Sequence, residues 1–247
     1  TNGVAWAWTG PNGFSSASQN PSITSVTAGA TGAYSISVTD VNGCVGTGTI
    51  AVVVNPLPTV TVNSVAICNG QQVANLTASG ASTYSWSAGT SPSTGSAVVA
   101  TPSSTTSYTV TGTNLNGCVN TAVATVTVNP LPLATASNTG PYCLNTPIVL
   151  NSTGGGTYSW NGPNGYSSSV QGPTVGAATT ALGGAYTVTV TANGCTATAT
   201  TTVVVNNSLT PSMSSNSPVC VGSTLNLSNT NGVAWAWTGP SGFSSAS

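Results

Sequence analysis

Apolar and polar residues alternate at period two along most of this chain. Tyr108-Thr109-Val110-Thr111, Thr59-Val60-Thr61-Val62 and Ala124-Thr125-Val126-Thr127-Val128 each put an apolar series on one face and mostly threonine on the other. Gly, Pro, Ser and Asn interrupt the runs before they grow long, and no helical periodicity competes. Across residues 57–130 the pattern predicts short strands at 59–62, 73–78, 84–86, 97–100, 108–111 and 124–128, with the turn signals Asn69-Gly70 and Asn116-Gly117 beside Cys68 and Cys118. About seven short strands in about 75 residues describe a small two-sheet β-sandwich, apolar inside and Thr/Ser outside.

The same grammar recurs. Cysteines 44, 118 and 195 form one series, spaced by 74 and 77, and cysteines 68, 143 and 220 form a second, spaced by 75 and 77. Residues 1–18 return as 230–247 with one change, Asn12 for Ser241, so a longer period of 229 residues spans three diverged modules of about 76. Pro-containing junctions, Asn55-Pro56-Leu57-Pro58 and Asn129-Pro130-Leu131-Pro132, follow the closing strands and should be short and stiff, whereas Asn206-Asn207-Ser208-Leu209-Thr210-Pro211 is looser. The expected organisation is the C-terminal part of a module at 1–56, complete modules at 57–130 and 131–207, and the N-terminal part of the next at 208–247. Such a chain reads as a segment of a longer array.

Composition narrows the function. There is no Lys, Arg, His or Glu, and Asp40 is the single acidic side chain, yet 39% of residues are apolar, which favours a folded chain over a disordered one. General acid–base catalysis, nucleophilic triads and metal hydrolysis need side chains that are missing, so the chain is expected not to be an enzyme and to need no cofactor. With no cation to displace counterions from phosphates, nucleic acid is not an expected partner. Asp40 lies in Thr39-Asp40-Val41-Asn42-Gly43-Cys44, where its counterpart is Asn114; a turn-closing role explains it better than a metal site. No run of eighteen apolar residues is present to form a membrane-spanning helix.

Regular cysteines in small modules point to disulfides and an oxidising, extracellular setting. Their separations within a module, 50 from Cys68 to Cys118 and 52 from Cys143 to Cys195, suggest those two bonds, with Cys44 and Cys220 left to pair with neighbouring copies. A loop of that size would contribute roughly 4 kcal/mol in the chain-entropy model. The alternative, Cys44 to Cys68 and Cys118 to Cys143 across each linker, is also compatible with the spacing. Trp8, Trp86, Trp160 and Trp237 recur at one strand position and are expected to pack in the cores. Phe14, Tyr166 and Phe243 follow a Gly-Pro-Asn/Ser-Gly turn and are either surface-contact aromatics or plugs over the end of a sandwich. The threonines of Thr196-Ala197-Thr198-Ala199-Thr200 match the spacing of ice-binding faces, but also that of any strand with a wet face.

The pattern Cys-Asn-Gly, Leu-Thr-Ala, Tyr-Ser-Trp, Tyr-Thr-Val-Thr, Asn-Gly-Cys, Val-Thr-Val-Asn-Pro-Leu-Pro resembles the immunoglobulin-like and PKD-like repeats of giant Bacteroidetes surface proteins. These include the mobile adhesins of gliding motility, exported by the type IX secretion system. The resemblance implies an extracellular, cell-surface filament or stalk serving adhesion, with neighbouring copies of the repeat, surface glycans or abiotic surfaces as partners. Similar modules also occur in ligand-free fibres or sheaths and as carbohydrate-binding or spacer regions of secreted enzymes.

One prediction follows from composition alone. With no Lys or Arg, the chain should remain uncut by trypsin even when reduced and unfolded; specific tryptic fragments seen by mass spectrometry would contradict the sequence.

Overall fold

The computed structural model describes residues 3–246, and the chain divides after Pro130 into two compact units. All of its regular structure is strand and short 3-10 turns. In the first unit, strands β1 (Gly3–Thr9), β2 (Ser15–Ser16), β3 (Gly32–Asp40) and β4 (Val45–Val52) form one antiparallel sheet in the order β2-β1-β3-β4. This sheet has an apolar inner face with little on it, so Ile50 is 59% exposed and Val52 36%.

Residues 57–129 build a complete sandwich. Its strands are β5 (Thr61–Val62), β6 (Val65–Cys68), β7 (Ala74–Ser79), β8 (Thr83–Trp86), β9 (Thr90–Ser91), β10 (Ala97–Ala100), β11 (Thr106–Thr113) and β12 (Val119–Asn129). One sheet runs β5-β7-β10-β9 and the other β6-β12-β11-β8. The first strand is split between the sheets: β5 pairs antiparallel with β7, and β6 pairs parallel with β12. Two four-stranded sheets connected in this way are the immunoglobulin-type sandwich expected from the pattern. Alternation does the sorting. Ala74, Leu76 and Ala78 of β7 point inward against Trp86, Val110 and Val126, while Asn75, Thr77 and Ser79 between them are exposed.

In the second unit the pattern repeats with β13 (Thr135–Asn138), β14 (Tyr142–Cys143), β15 (Pro147–Thr153), β16 (Thr157–Asn161), β17 (Ser167–Ser168), β18 (Thr174–Ala177), β19 (Gly184–Ala192), β20 (Cys195–Val203) and β21 (Val205–Asn206). The sheet β13-β15-β18 faces β17-β16-β19-β20, and β14 pairs parallel with β21. Ile148, Leu150, Trp160, Tyr186, Val188 and Val190 are all 0% exposed and form this core. After it come two small hairpins, β22 (Met213–Ser215) with β23 (Leu227–Asn229), and β24 (Ala236–Thr238) with β25 (Ser244–Ala246). They bury little; Leu225 and Leu227 are 53% and 44% exposed.

The tryptophans follow the completeness of the module. Trp86 and Trp160 are buried where both sheets are present, whereas Trp8 and Trp237 are only half-buried. Trp160→Ala should therefore cost about 3–5 kcal/mol and Trp237→Ala less than about 1 kcal/mol, read from urea unfolding. Equal effects at the two sites would contradict this packing.

Candidate functional site

Cysteine position along the strands is the most informative feature. Cys68 ends β6, where it lies opposite Asn129, the last residue of β12, and Cys118 sits immediately before the start of β12. Eleven residues of extended strand, about 35 Å, thus separate the two ends, far beyond the Cα separation of about 7 Å that a disulfide tolerates. Cys143 and Cys195 are arranged alike: Cys143 is paired with Asn206, and Cys195 begins β20. The expected bonds Cys68–Cys118 and Cys143–Cys195 do not form. Cys68 and Cys195 are disulfide-bonded, while Cys44, Cys118, Cys143 and Cys220 carry free thiols. The linker-crossing alternative is absent too, because Cys118 and Cys143 are both free and Cys44 is free while Cys68 is bonded. Each complete module therefore carries one cysteine at its upstream pole, in the turn before the last strand, and one at its downstream pole.

The upstream pole of residues 57–129 is locked to the junction that precedes it. Asn114 Nδ2 donates to Pro56 O at 3.0 Å and Asn120 Nδ2 to Pro58 O at 3.0 Å, and Cys118 Sγ lies 3.7 Å from Asn55 O. Asn114 Oδ1 meanwhile accepts from the backbone N–H groups of Asn116 and Cys118 at 3.0 and 2.9 Å, closing the turn. Gly117 completes that turn at φ +78°, a conformation a side chain would strain. Asp40 does the same job in the preceding sheet, accepting from the N–H groups of Asn42 and Cys44 at 2.8 and 2.9 Å. Its carboxylate is thus a turn-closing group, and no cluster of three or more His, Cys, Asp or Glu occurs among the described residues.

The aromatics after the Gly-Pro turns resolve as plugs in two of three places. Phe14 packs edge-on against Tyr34 and Tyr166 against Tyr186, each pair with ring centroids 5.5 Å apart. Phe243 is 50% exposed. The tyrosines they cover were not singled out by the sequence pattern. Tyr34 and Tyr186 donate their hydroxyls to Ala30 O and Leu182 O, at 3.0 and 2.9 Å, making tyrosine corners that lock the turn before the adjacent strand. Burial, and then the neighbouring Tyr166, raise the Tyr186 pKa above its ordinary value, so its hydroxyl remains a donor. Their signal was present: Tyr34, Tyr108 and Tyr186 precede their Asn-Gly-Cys turns at a nearly constant distance. Gly10 and Gly162 complete the arrangement, because a side chain at either would land on the tyrosine ring.

Threonines form the wet face of the closing strands. Thr196, Thr198 and Thr200 are exposed on β20, and Thr200 shares a hydroxyl contact of 3.0 Å with Thr187 across the pair, as Ser35 does with Thr49 at 3.2 Å. The inner face of the sheet β2-β1-β3-β4 is different. It lines an open apolar groove of about 420 Å³ whose walls include Trp8, Phe14, Ile23, Tyr34, Ile50 and Val52.

No family model matches the chain, and no curated protein sequence does. Among solved structures, it is similar to extracellular domains 3–5 of Drosophila OTK at 12% identity and a TM-score of 0.43, covering 82% of this chain and 85% of that one. It is similar to the N-terminal eight Ig domains of the Down Syndrome Cell Adhesion Molecule at 17% identity and a TM-score of 0.43, covering 85% of this chain and 33% of that one. It is also similar to the titin I-band fragment I67–I69 at 14% identity and a TM-score of 0.37, covering 81% and 87%.

Thiol chemistry checks the cysteine assignment. Alkylation of the unfolded, unreduced protein should modify Cys44, Cys118, Cys143 and Cys220, with Cys68 and Cys195 reached only after reduction. A peptide linking Cys68 to Cys118 in the unreduced protein would restore the within-module pairing.

Proposed function

We propose that this chain is a repeat segment of an extracellular filament or stalk that serves surface adhesion, with gliding motility as the setting suggested by the sequence resemblance. The observation that carries the reading is the fixed junction at Asn55-Pro56-Leu57-Pro58. Two side-chain amides of the following module hold its carbonyls at 3.0 Å, so successive modules are joined by a stiff, directional link rather than a free tether. Repeated at a period of 229 residues, such links give reach and stiffness, the properties a stalk needs.

Contact with a surface would come from the Thr/Ser faces of the closing strands. Uncharged hydroxyl arrays bind weakly per copy, so attachment depends on many copies acting together. A ligand-free fibre is the second reading, and it is favoured by the packing of Phe14 and Tyr166 onto tyrosines, which leaves fewer aromatics for stacking on sugars.

Immobilised glycans and hydrophilic solid surfaces, probed with one copy and with a tandem of three, separate these readings. An adhesin should show retention that rises by about 10²-fold or more with copy number. Absence of binding at every copy number would sink the adhesive role and leave the fibre.

A further inference from the structure

Asparagine followed two residues later by serine or threonine is the acceptor tripeptide for N-linked oligosaccharides, provided that the middle residue is not proline. Each complete module carries one on the same strand, Asn75-Leu76-Thr77 on β7 and Asn151-Ser152-Thr153 on β15. Alternation along a strand turns the first and third residues to one face and the second to the other. Asn75, Thr77, Asn151 and Thr153 are accordingly exposed, while Leu76 and Ser152 are buried in the two cores at 0% and 1% exposure. The tripeptide also occurs at Asn206-Asn207-Ser208 and Asn226-Leu227-Ser228, which lie outside the sheets that hold β7 and β15.

The two tripeptides do not share a register. Thr61 lies opposite Ser79 and Thr135 opposite Thr153, each pair sharing a hydroxyl contact of 2.7 Å, so Ser79 and Thr153 hold equivalent places. Asn151 therefore stands where residues 57–129 have Thr77, and Val149 stands where they have Asn75. The tripeptide has moved by one step of the alternation and has kept its outward face. Its asparagines are also unoccupied. The side-chain amides of Asn63, Asn114, Asn120 and Asn138 are tied to backbone carbonyls, whereas those of Asn75 and Asn151 have no hydrogen-bond partner among the described residues.

The surroundings of both asparagines leave room for a substituent. Asn75 lies opposite Val99 of β10, which is 38% exposed. Asn151 lies opposite Ser137 of β13 and beside Gly172, where a Cβ would come within 3.4 Å of its Oδ1. Val149, two residues away on the same face, is 37% exposed. The chain lacks the usual means of keeping such faces apart, because Asp40 is the single charged side chain in 247 residues and copies barely repel one another. Covalently attached sugar supplies bulk and hydration without charge.

We propose that Asn75 and Asn151 are N-glycosylated, and that their oligosaccharides keep this almost uncharged chain in solution. The assignment rests on the extracellular reading of the chain and not on its adhesive role. The donor is an oligosaccharide linked to a polyprenyl pyrophosphate. The side-chain amide nitrogen bonds to the anomeric carbon of the first sugar, the bond from that carbon to the pyrophosphate oxygen breaks, polyprenyl pyrophosphate leaves, and the nitrogen gives up one proton. Transfer takes place while the tripeptide is an unpaired extended segment, and the strand then forms with the sugar outside. The first ring covers Val99 or Val149, and the glycans project from the side of each sandwich opposite to the closing strands β12 and β20, whose threonines stay bare.

Mass spectrometry of the protein recovered from its own source cells, cut with pepsin because Lys and Arg are missing, tests the assignment. Peptides containing Asn75 and Asn151 should carry oligosaccharide, and peptide N-glycosidase in heavy-oxygen water should leave labelled aspartate at both positions. Thr77→Ala with Thr153→Ala, both at exposed positions, should abolish the modification, whereas Thr77→Ser with Thr153→Ser should keep it. The alanine variant retains both asparagines and gains no charge, so it should precipitate at a several-fold lower concentration while its urea unfolding shows the fold intact. Bare asparagine at either position, or sugars that persist in the alanine variant, would overturn the assignment, and equal solubility would overturn the solubilising role. None of these outcomes depends on whether the array binds a surface.

Discussion

Burial of a single sheet's inner face is the constraint on which the rest of this molecule depends. The sheet that carries the tryptophan, the tyrosine corner and the closing strand has an apolar side it cannot cover by itself. Where a second sheet arrives, Trp160, Tyr186, Val188 and Val190 lose all contact with solvent. Where it does not, Ile50 and Val52 remain in water although the strands and turns around them have formed. Local structure is thus specified by the alternation and the turns, whereas the core requires two sheets to meet. A module of about 76 residues buries little surface to spare, so the loss of one sheet matters.

The same architecture explains why disulfides do not staple these modules internally. In an immunoglobulin-type sandwich the first strand runs parallel to the last, so a cysteine ending the first and a cysteine starting the last stand at opposite poles. Here that holds for Cys68 and Cys118, and again for Cys143 and Cys195. Sulfur chemistry is consequently directed outward, toward whatever abuts each pole. Stability in such an array becomes partly a property of the joints, as in other linear repeat proteins, where neighbour terms add to the intrinsic stability of each unit.

Much of this was legible in the sequence. The period-two runs gave the strands, the Asn-Gly-Cys motifs gave the turns, and Asp40 was correctly read as a turn-closing residue because Asn114 stands in its place. Burial of Trp86 and Trp160 followed from their recurrence on one strand. The cysteine pairing did not follow, for a physical reason: separation along the sequence says nothing about axial position once the strands reverse. Fifty residues return the chain to the same sheet, but to the other end of it. Phe14 and Tyr166 were ambiguous because their partners, the corner tyrosines, lie about twenty residues away in sequence and meet them only in the fold.

Amide hydrogen exchange across β3 reports whether that sheet is held by a second one. In the chain as it stands, Gly32–Asp40 should exchange much faster than the equivalent strands Thr106–Thr113 and Gly184–Ala192. Fusing residues 208–229 ahead of residue 1 should slow β3 to the level of those two strands. If β3 is already equally protected without the added segment, or remains unprotected with it, the account of a core that exists only between two sheets is wrong.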